Sequence, residues 1–198
     1  TEAGCKWGGS WDLEVLLYFA PKGFEETPTL KRSNAHDIVA EECKVIREGA
    51  GLLDISGFSR FEVSGPGAEA WLDRVMAGRV PKPGRLSLTP MLSARGKLIG
   101  DFTISCLSET EFQLTASYGS QAYHYRWFKS HEEDGVNVYN ISDKRTGFQI
   151  AGPEAARVLA ACTRSDVGDM KFLDVRRMTV GMSDCIVQRV SYTGDLGF

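Results

Sequence analysis

Asp101 is the residue whose setting most clearly predicts chemistry. It lies in the run GKLIGDFTI, whose alternating pattern predicts a β-strand. Strict alternation would place Ile99 and Thr103 on the same face as Asp101, with Leu98 and Phe102 on the opposite face. A carboxylate is costly to bury without a partner. Asp101 is therefore either a surface residue at a strand edge or a group that meets a ligand.

Two further features would suit a ligand site. Gly100 directly precedes Asp101, and a glycine in a strand lets another backbone or a ligand approach closely. The sequence ends in SYTGDLGF, where Tyr192 follows a strand-like run and precedes a turn that contains glycine. An exposed tyrosine there can stack on a flat ring, although a core tyrosine that caps the strand fits the composition as well.

Other kinds of site have little support in the sequence. His124 and His131 are seven residues apart and could share a helix face, but no further metal ligands are indicated. The five cysteines have no CxxC spacing, so reduced thiols in a cytosolic or mitochondrial-matrix protein are expected. Without a GxGxxG, P-loop or GxSxG motif, the sequence shows no dinucleotide site.

The composition is that of an ordinary globular chain. Its 198 residues are 42% apolar and 25% charged, with a formal net charge of −3 and no basic stripe, so nucleic acid is not an expected partner. No apolar run approaches the roughly 20 residues that cross a bilayer, and the start, TEAGCKWGGSW, lacks the pattern of a signal peptide. Residues 1–35 mix glycine, proline and aromatic residues and are expected to be irregular.

Hydrophobic periodicity predicts the elements that would position these residues. A first helix is expected after Asn34 or Asp37, either of which could cap it, with Val39, Cys43 and Ile46 on one face. Turn-forming residues separate the β-type runs and divide them into strands. The predicted helices span 38–49, 68–77 and 119–132, and the predicted strands span 59–64, 85–92, 97–106, 111–117, 136–141, 147–151, 173–180 and 185–192.

The chain also contains an internal repeat. FQIAGP at 148–153 echoes FEVSGP at 61–66, which lies 87 residues earlier. The helix that follows each motif has apolar residues at the same offset, at positions i, i+3, i+4 and i+7, which form a single face. The repeat predicts an α+β fold of two βαββαβ (ferredoxin-like) units at about 51–143 and 144–198, the second incomplete.

An ordered series of motifs runs through most of the sequence: GLLDIS, FEVSGPGA, LTPML, GKLIGD and YTGD. Together they resemble the aminomethyltransferase family, which contains the T protein of the glycine cleavage system and the C-terminal halves of dimethylglycine and sarcosine dehydrogenases. RSN, TPM and WF resemble the dimethylglycine/sarcosine dehydrogenase branch most closely. The resemblance covers about residues 30–198 and implies a truncated folate-binding domain at 36–198.

The resemblance also implies a tetrahydrofolate site. Asp101 matches the acidic residue that lies beside the pterin, where it would hydrogen-bond near N10 and orient the cofactor for attack. Tyr192 matches the tyrosine against the folate ring system, and Leu88 a wall position that is often tyrosine in the T protein. Ser117 aligns with an asparagine; it keeps a hydrogen-bonding oxygen but loses the amide's two-sided recognition.

The implied reaction belongs to a longer parent chain. A FAD-containing domain would oxidise dimethylglycine or sarcosine to an iminium, which this domain would capture on tetrahydrofolate as 5,10-methylenetetrahydrofolate. That domain, the C-terminal barrel domain and the glutamate that usually follows the last motif are all missing, so a fragment is expected, and activity of the fragment alone does not follow. The alternatives in the same fold are a stand-alone aminomethyltransferase, a sulfonium demethylase and a non-catalytic iron–sulfur assembly protein. The last carries a cysteine where this chain has VSYTG.

Overall fold

The computed structural model describes residues 4–10, 13–192 and 194–198, so Thr193 of the YTGD motif lies outside the described residues. Within these ranges the chain forms a series of strands and helices with two short 3-10 helices. The strands are β1 (Cys5–Ser10), β2 (Leu13–Phe19), β3 (Gly51–Asp54), β4 (Ser59–Ser64), β5 (Leu86–Leu92), β6 (Leu98–Ser108), β7 (Glu111–Ala116), β8 (Asn137–Asn140), β9 (Phe148–Ala151), β10 (Val175–Val180) and β11 (Ser183–Gln188). The helices are α1 (His36–Glu48), α2 (Ala68–Val75), α3 (Gln121–Ser130) and α4 (Ala155–Cys162), and the 3-10 helices are Tyr118–Ser120 and Ser142–Lys144.

A central antiparallel sheet has the strand order β5-β6-β7-β4-β8. Its inner face packs against α2 and α3, because alternate strand residues and the apolar stripes of both helices are buried together. Phe128 of α3 stands edge-on to Phe61 of β4, with ring centroids 5.2 Å apart, and Trp71 of α2 lies 5.8 Å from Phe128. Each such side chain contributes roughly 2 kcal/mol by burial alone, so this core is the main source of stability.

The sequence repeat has a structural counterpart in two glycine turns. Gly65 follows β4 and Gly152 follows β9, with φ angles of 120° and 121° that side chains with a Cβ rarely adopt. A Cβ at Gly65 would lie 2.2 Å from the carbonyl oxygen of Gly135, and one at Gly152 would lie 2.4 Å from that of Gly49. Both turns need glycine for the same reason, which confirms that the fold is duplicated.

The two repeats exchange a strand. Shifted by the repeat offset of 87 residues, β3 falls on 138–141 and overlaps β8, so β8 belongs to the second repeat although the sequence placed it in the first. β3 pairs with β9 of the second repeat, and β8 pairs with β4 of the first. The registers correspond to within one residue, because Gly51 pairs with Ala151 and Asn137, rather than Val138, pairs with Ser64. Each spatial unit is therefore built from both halves of the sequence.

The helices follow the same scheme. α1 precedes β3 as α3 precedes β8, and the last residues of the chain bridge to β9 as β7 pairs with β4. These equivalences place the repeats at about 36–116 and 121–198, whereas the sequence alone placed the boundary between them near residue 143.

The second unit has a smaller core than the first. Phe148 occupies the position equivalent to Phe61 but is 58% exposed, whereas Phe61 is 0% exposed. The predicted apolar stripe of α1 covers little, since none of its residues is buried. The buried residues of this core in the described part of the chain are Leu159, Val167, Met170, Met178 and Val187.

The described residues before α1 are more regular than predicted. β1 and β2 pair as an antiparallel hairpin in a segment where glycines and mixed aromatic residues hide the strand alternation. The predicted cap of α1 is also wrong, because neither Asn34 nor Asp37 makes a capping hydrogen bond. Asn34 instead accepts from the backbone N–H of Thr27 and donates to the carbonyl of Glu25, both at 2.9 Å, and so ties down the preceding loop.

No helix in the described ranges is long and apolar enough to cross a membrane. Nor do the described residues contain a group of three His, Cys, Asp or Glu side chains that could hold a metal ion. All five cysteines are free, and burial raises the pKa of the Cys106 thiol to about 11, so that group is protonated at neutral pH.

Asp174 joins the two units and gives the first prediction. Its carboxylate accepts the backbone N–H of Lys171 at 2.8 Å and pairs with Arg85, and these bonds, in that order, lower its pKa. A lowered pKa stabilises the fold above the unfolded-state value near 4, and this contribution disappears as the pH falls through the folded pKa. Asp174→Asn should lower the free energy of unfolding by on the order of 1 kcal/mol at pH 7. The free energy of unfolding should then also decrease less steeply as the pH falls.

The test of this prediction is urea unfolding at several values between pH 7 and pH 2. Asp73→Asn, which neutralises an exposed carboxylate on α2, is the control and should change the free energy of unfolding by less than about 0.5 kcal/mol at pH 7. If the free energy of unfolding of Asp174→Asn still falls as steeply with pH as that of wild type, groups other than Asp174 cause the acid destabilisation.

Candidate functional site

The outer face of the central sheet is covered at one end by the second unit. Leu86, Ser105 and Gln113 form a row across β5, β6 and β7, and all three are buried. The amide of Gln188 on β11 donates to the hydroxyl of Ser105 at 2.8 Å, and the N–H of Leu86 donates to the carbonyl of Leu173 at 2.9 Å. The β10–β11 hairpin therefore closes this end of the sheet.

Beyond that row the outer face is left uncovered and forms a patch that we call the open face. Its floor is apolar at β5, where Leu88 is 68% exposed, and polar at β6 and β7. The open face consists of Leu88, Pro90, Asp101, Thr103, Thr115 and Ser117.

Three of the four predicted site residues lie together on the open face. Leu88 pairs with Thr103, which is two residues from Asp101 on the same side of β6. Thr103 pairs in turn with Thr115, and continuing this register places Ser117 beside Asp101, one residue beyond the end of β7. Neighbouring strands are about 4.8 Å apart, so the patch is about 10 Å wide, the size of a fused ring system.

A β-bulge directly before Asp101 alters the predicted alternation. Met91 pairs with Gly100 and Leu92 with Leu98, so Ile99 is an extra residue on β6. Leu98 is consequently exposed, while Ile99 packs against the inner core. The prediction was therefore wrong for these two residues, because strict alternation cannot cross a bulge.

After the bulge the alternation holds. Phe102 and Ile104 are buried in the inner core, while Asp101 is exposed on the outer face. The carboxylate therefore avoids the cost of burial and is accessible to a ligand.

A buried cation borders the open face. Arg60 on β4 pairs with Thr115 and is only 5% exposed. Its guanidinium donates to the carbonyl oxygens of Ile55, Ser56 and Phe58 at distances of 2.8 to 3.0 Å. Burial lowers its pKa, but an arginine remains charged at neutral pH. The loop from β3 to β4 is thus held along one side of the patch.

Tyr192 lies on a separate loop rather than on the open face. The strand predicted to reach it ends four residues earlier, at Gln188, and the ring is 96% exposed. The start of the loop is fixed, since the N–H of Arg189 donates to the carbonyl of Asp174 at 2.8 Å. The structure therefore groups Leu88, Asp101 and Ser117 on the open face, while the ring of Tyr192 packs against none of them.

The open face is suited to binding and orienting a flat, polar ligand. Leu88 and Pro90 offer an apolar surface for one face of a ring, and Asp101 can accept hydrogen bonds from ring or side-chain N–H groups. The hydroxyls of Thr103, Thr115 and Ser117 add donors and acceptors.

Comparison with known proteins identifies the family. The family model described as the GCVT N-terminal domain matches residues 1–198, which is the whole chain. The chain belongs to the GCVT N-terminal domain family. The relationship predicted from the motifs is thereby confirmed.

Relatives of this GCVT N-terminal domain include two enzyme classes. Dimethylglycine dehydrogenase of Rattus norvegicus is 30% identical over 204 residues, which cover 100% of this chain and 24% of that protein. Aminomethyltransferase of Natranaerobius thermophilus is 28% identical over 163 residues, which cover 81% of this chain and 45% of that protein. The chain thus spans about a quarter of the first relative and less than half of the second.

A solved structure confirms the fold. The glycine cleavage system aminomethyltransferase T from Bartonella henselae superposes with a TM-score of 0.80 at 24% sequence identity, over 99% of this chain and 49% of that one. The mixed architecture predicted from the repeat is therefore the aminomethyltransferase T fold.

Two residues of the candidate site were missed from the sequence. Arg60 is a single basic residue near the start of a strand, and nothing in its sequence context indicates burial. His124 was considered only as a metal ligand, yet it is buried behind β6. The signal for it was Gly100, whose missing side chain was expected to allow a close approach by a backbone or a ligand.

Proposed function

We propose that the open face binds tetrahydrofolate and that the chain is the one-carbon transfer domain of a longer N-methyl amine dehydrogenase. The observation that carries the proposal is the position of Asp101. In a chain of the GCVT N-terminal domain family, it is an exposed carboxylate beside the exposed apolar side chain of Leu88, on the uncovered part of the sheet.

The residues present fit a folate ring. The pyrimidine half of a reduced pterin is flat, and the bicyclic ring system has N–H groups along its edge and is about as wide as the open face. Leu88 and Pro90 would pack against one side of the ring, and Asp101 would accept a hydrogen bond near N10. Ser117 would supply a hydroxyl at the ring edge, and Tyr192 would close on the ring system from its loop.

In this proposal the protein contributes mainly by position and charge. Tetrahydrofolate, when bound, supplies the two nitrogens that take up the one-carbon unit of an iminium as 5,10-methylenetetrahydrofolate, with release of the demethylated amine. Asp101 would hold the ring in the orientation that attack requires, and its negative charge would stabilise the cationic iminium nearby.

The substrate and partners follow from the same proposal. The iminium would come from an N-methylated glycine oxidised by a flavin domain of the parent chain, and the family's barrel domain would add to the folate binding that the open face provides. The relative from Rattus norvegicus is named for dimethylglycine, which supports this class of substrate. A parent of this kind would work in the cytoplasm or the mitochondrial matrix.

Calorimetric titration with 5-formyltetrahydrofolate tests the proposal. Wild type should bind, and Asp101→Ala should bind at least about tenfold more weakly, the usual consequence of losing a hydrogen bond to a charged group. Asp73→Ala is the matched control, because it removes an exposed carboxylate from α2, on the other side of the sheet.

The control variant should bind as wild type does. Equal affinities for wild type and Asp101→Ala would remove Asp101 from the site. A wild-type chain that does not bind the folate would contradict the proposal for this domain by itself.

A further inference from the structure

The imidazole of His124 lies directly behind Asp101, on the inner side of β6. The ring projects from α3 and is only 2% exposed. Its Nε2 lies 3.2 Å from the carbonyl oxygen of Ile99, the extra residue of the bulge. The two side chains thus lie on opposite faces of β6, and the contact with the histidine is two residues from the carboxylate.

The bulge explains why this hydrogen bond matters. A bulged residue interrupts the ladder, and a buried backbone carbonyl left without a partner is destabilising. Because a carbonyl can only accept, the bond requires the proton on Nε2 of His124. Burial lowers the pKa of His124, which favours this neutral form.

Nδ1 of the same ring is buried and has no hydrogen-bond partner among the residues that the structure describes. A histidine that only filled the core could be replaced by an apolar side chain, which would avoid this cost. One side of the ring therefore bears an energetic penalty while the other holds the bulge.

Gly100 allows the imidazole of His124 to approach β6 closely, because it has no side chain. A Cβ at this residue would lie 2.4 Å from Nε2 of His124, so any side chain there would displace the ring or the strand. Beyond it, the imidazole centroid is 4.8 Å from that of Phe102. Gly100 and Phe102 flank Asp101, so the histidine contacts β6 on both sides of the carboxylate.

We propose that His124 is a positioning residue for Asp101. By donating to the Ile99 carbonyl and filling the space above Gly100, it fixes the bulge and hence the direction in which the Asp101 carboxylate leaves the sheet. Its role in ligand binding rests on the folate function proposed above, whereas its hold on the bulge does not.

The test compares two substitutions that differ in the hydrogen bond. His124→Gln can bring an amide N–H to about the place of Nε2, whereas His124→Leu keeps an apolar side chain of comparable bulk and loses the donor. His124→Leu should weaken binding of 5-formyltetrahydrofolate about tenfold and speed amide exchange at Gly100 and Asp101, while His124→Gln should stay within about threefold of wild type on both. In an Asp101→Asn background, the effect of His124→Leu on affinity should largely disappear.

His131→Leu is the matched control, because it removes a histidine that stacks on Trp127 at the end of α3, and both readouts should stay at wild-type values. Gly100→Ala attacks the same contact from β6 and should reproduce His124→Leu. If His124→Gln and His124→Leu behave alike in exchange, or if exchange at the bulge does not change in His124→Leu, the inference is wrong. An affinity loss that persists undiminished in Asp101→Asn overturns it as well.

The two proposals can fail separately. If the wild-type chain binds no folate, the proposed function fails, and amide exchange at Gly100 and Asp101 still decides the role of His124. If wild type binds and only the exchange pattern contradicts the expectation, the folate site stands without a positioning histidine.

Discussion

Phe61→Ala should lower the free energy of unfolding by about 3–5 kcal/mol, while Phe148→Ala should change it by less than about 1 kcal/mol. The two phenylalanines occupy equivalent positions of the repeat. Phe61 is the third residue of β4, and Phe148 is the first residue of β9. Phe61 is 0% exposed and packs against Phe128, whereas Phe148 is 58% exposed. The same substitution therefore leaves a cavity in one unit and very little in the other.

Urea unfolding of both variants at neutral pH measures the difference. The pair is internally matched, because residue type, position in the repeat and the following glycine turn are shared. Leu72→Ala and Leu159→Ala form a second matched pair in α2 and α4, where exposures of 0% and 9% predict a smaller contrast. Equal losses for Phe61→Ala and Phe148→Ala would mean that the second unit is as well packed as the first.

The repeat was predictable because its signals are local. A strand ending in Gly-Pro and followed by a helix with one apolar face needs only short-range pattern, and Gly65 and Gly152 meet the same steric requirement in both copies. Most helix and strand positions followed from this pattern to within a few residues, since tight turns separate them.

The exchange of β3 and β8 was not predictable from the same pattern. A strand's alternation specifies which face is buried but not which neighbour it pairs with. Gly51–Asp54 would satisfy its periodicity equally well beside β4 or beside β9. The choice depends on contacts between residues nearly 100 positions apart, which a single sequence does not record.

The candidate site divides in a similar way. The family motifs predicted Leu88 and Asp101 as site residues, and the strand alternation predicted the orientation of Asp101. The structure places both residues on one face of the sheet. The bulge at Ile99 did not follow, because an extra residue in a ladder exists only relative to the partner strand. His124 depends on the bulge and was therefore missed for its structural role, although Gly100 marked the place where it approaches β6.

Arg60 stabilises the loop through which the chain passes from the second unit to the first, which we call the crossover. The chain leaves β3 in the second unit and enters β4 in the first through a short loop, and the guanidinium binds three carbonyls of that loop. Gly147, at the equivalent position of the second repeat, packs against the same guanidinium, and a Cβ there would lie 2.2 Å from Nη2. The crossover and the start of β9 therefore share one buried cation.

Arg60→Met should lower the free energy of unfolding by about 3 kcal/mol, because it leaves the carbonyls of Ile55, Ser56 and Phe58 without their charged donor. Arg60→Lys keeps the charge but not the planar fork, so it should recover only part of that loss.

A double-mutant cycle with Gly147→Ala locates the effect at the crossover. In the wild-type background Gly147→Ala forces a methyl group against a rigid guanidinium, and it should be destabilising. In the Arg60→Met background the flexible thioether can move aside, so the same change should cost at least about 1 kcal/mol less. Arg95→Met, at an exposed residue of the β5–β6 turn, is the control and should be nearly neutral. Strict additivity of Arg60→Met and Gly147→Ala would show that the two repeats are not coupled through this cation, and that the strand exchange is held by backbone pairing alone.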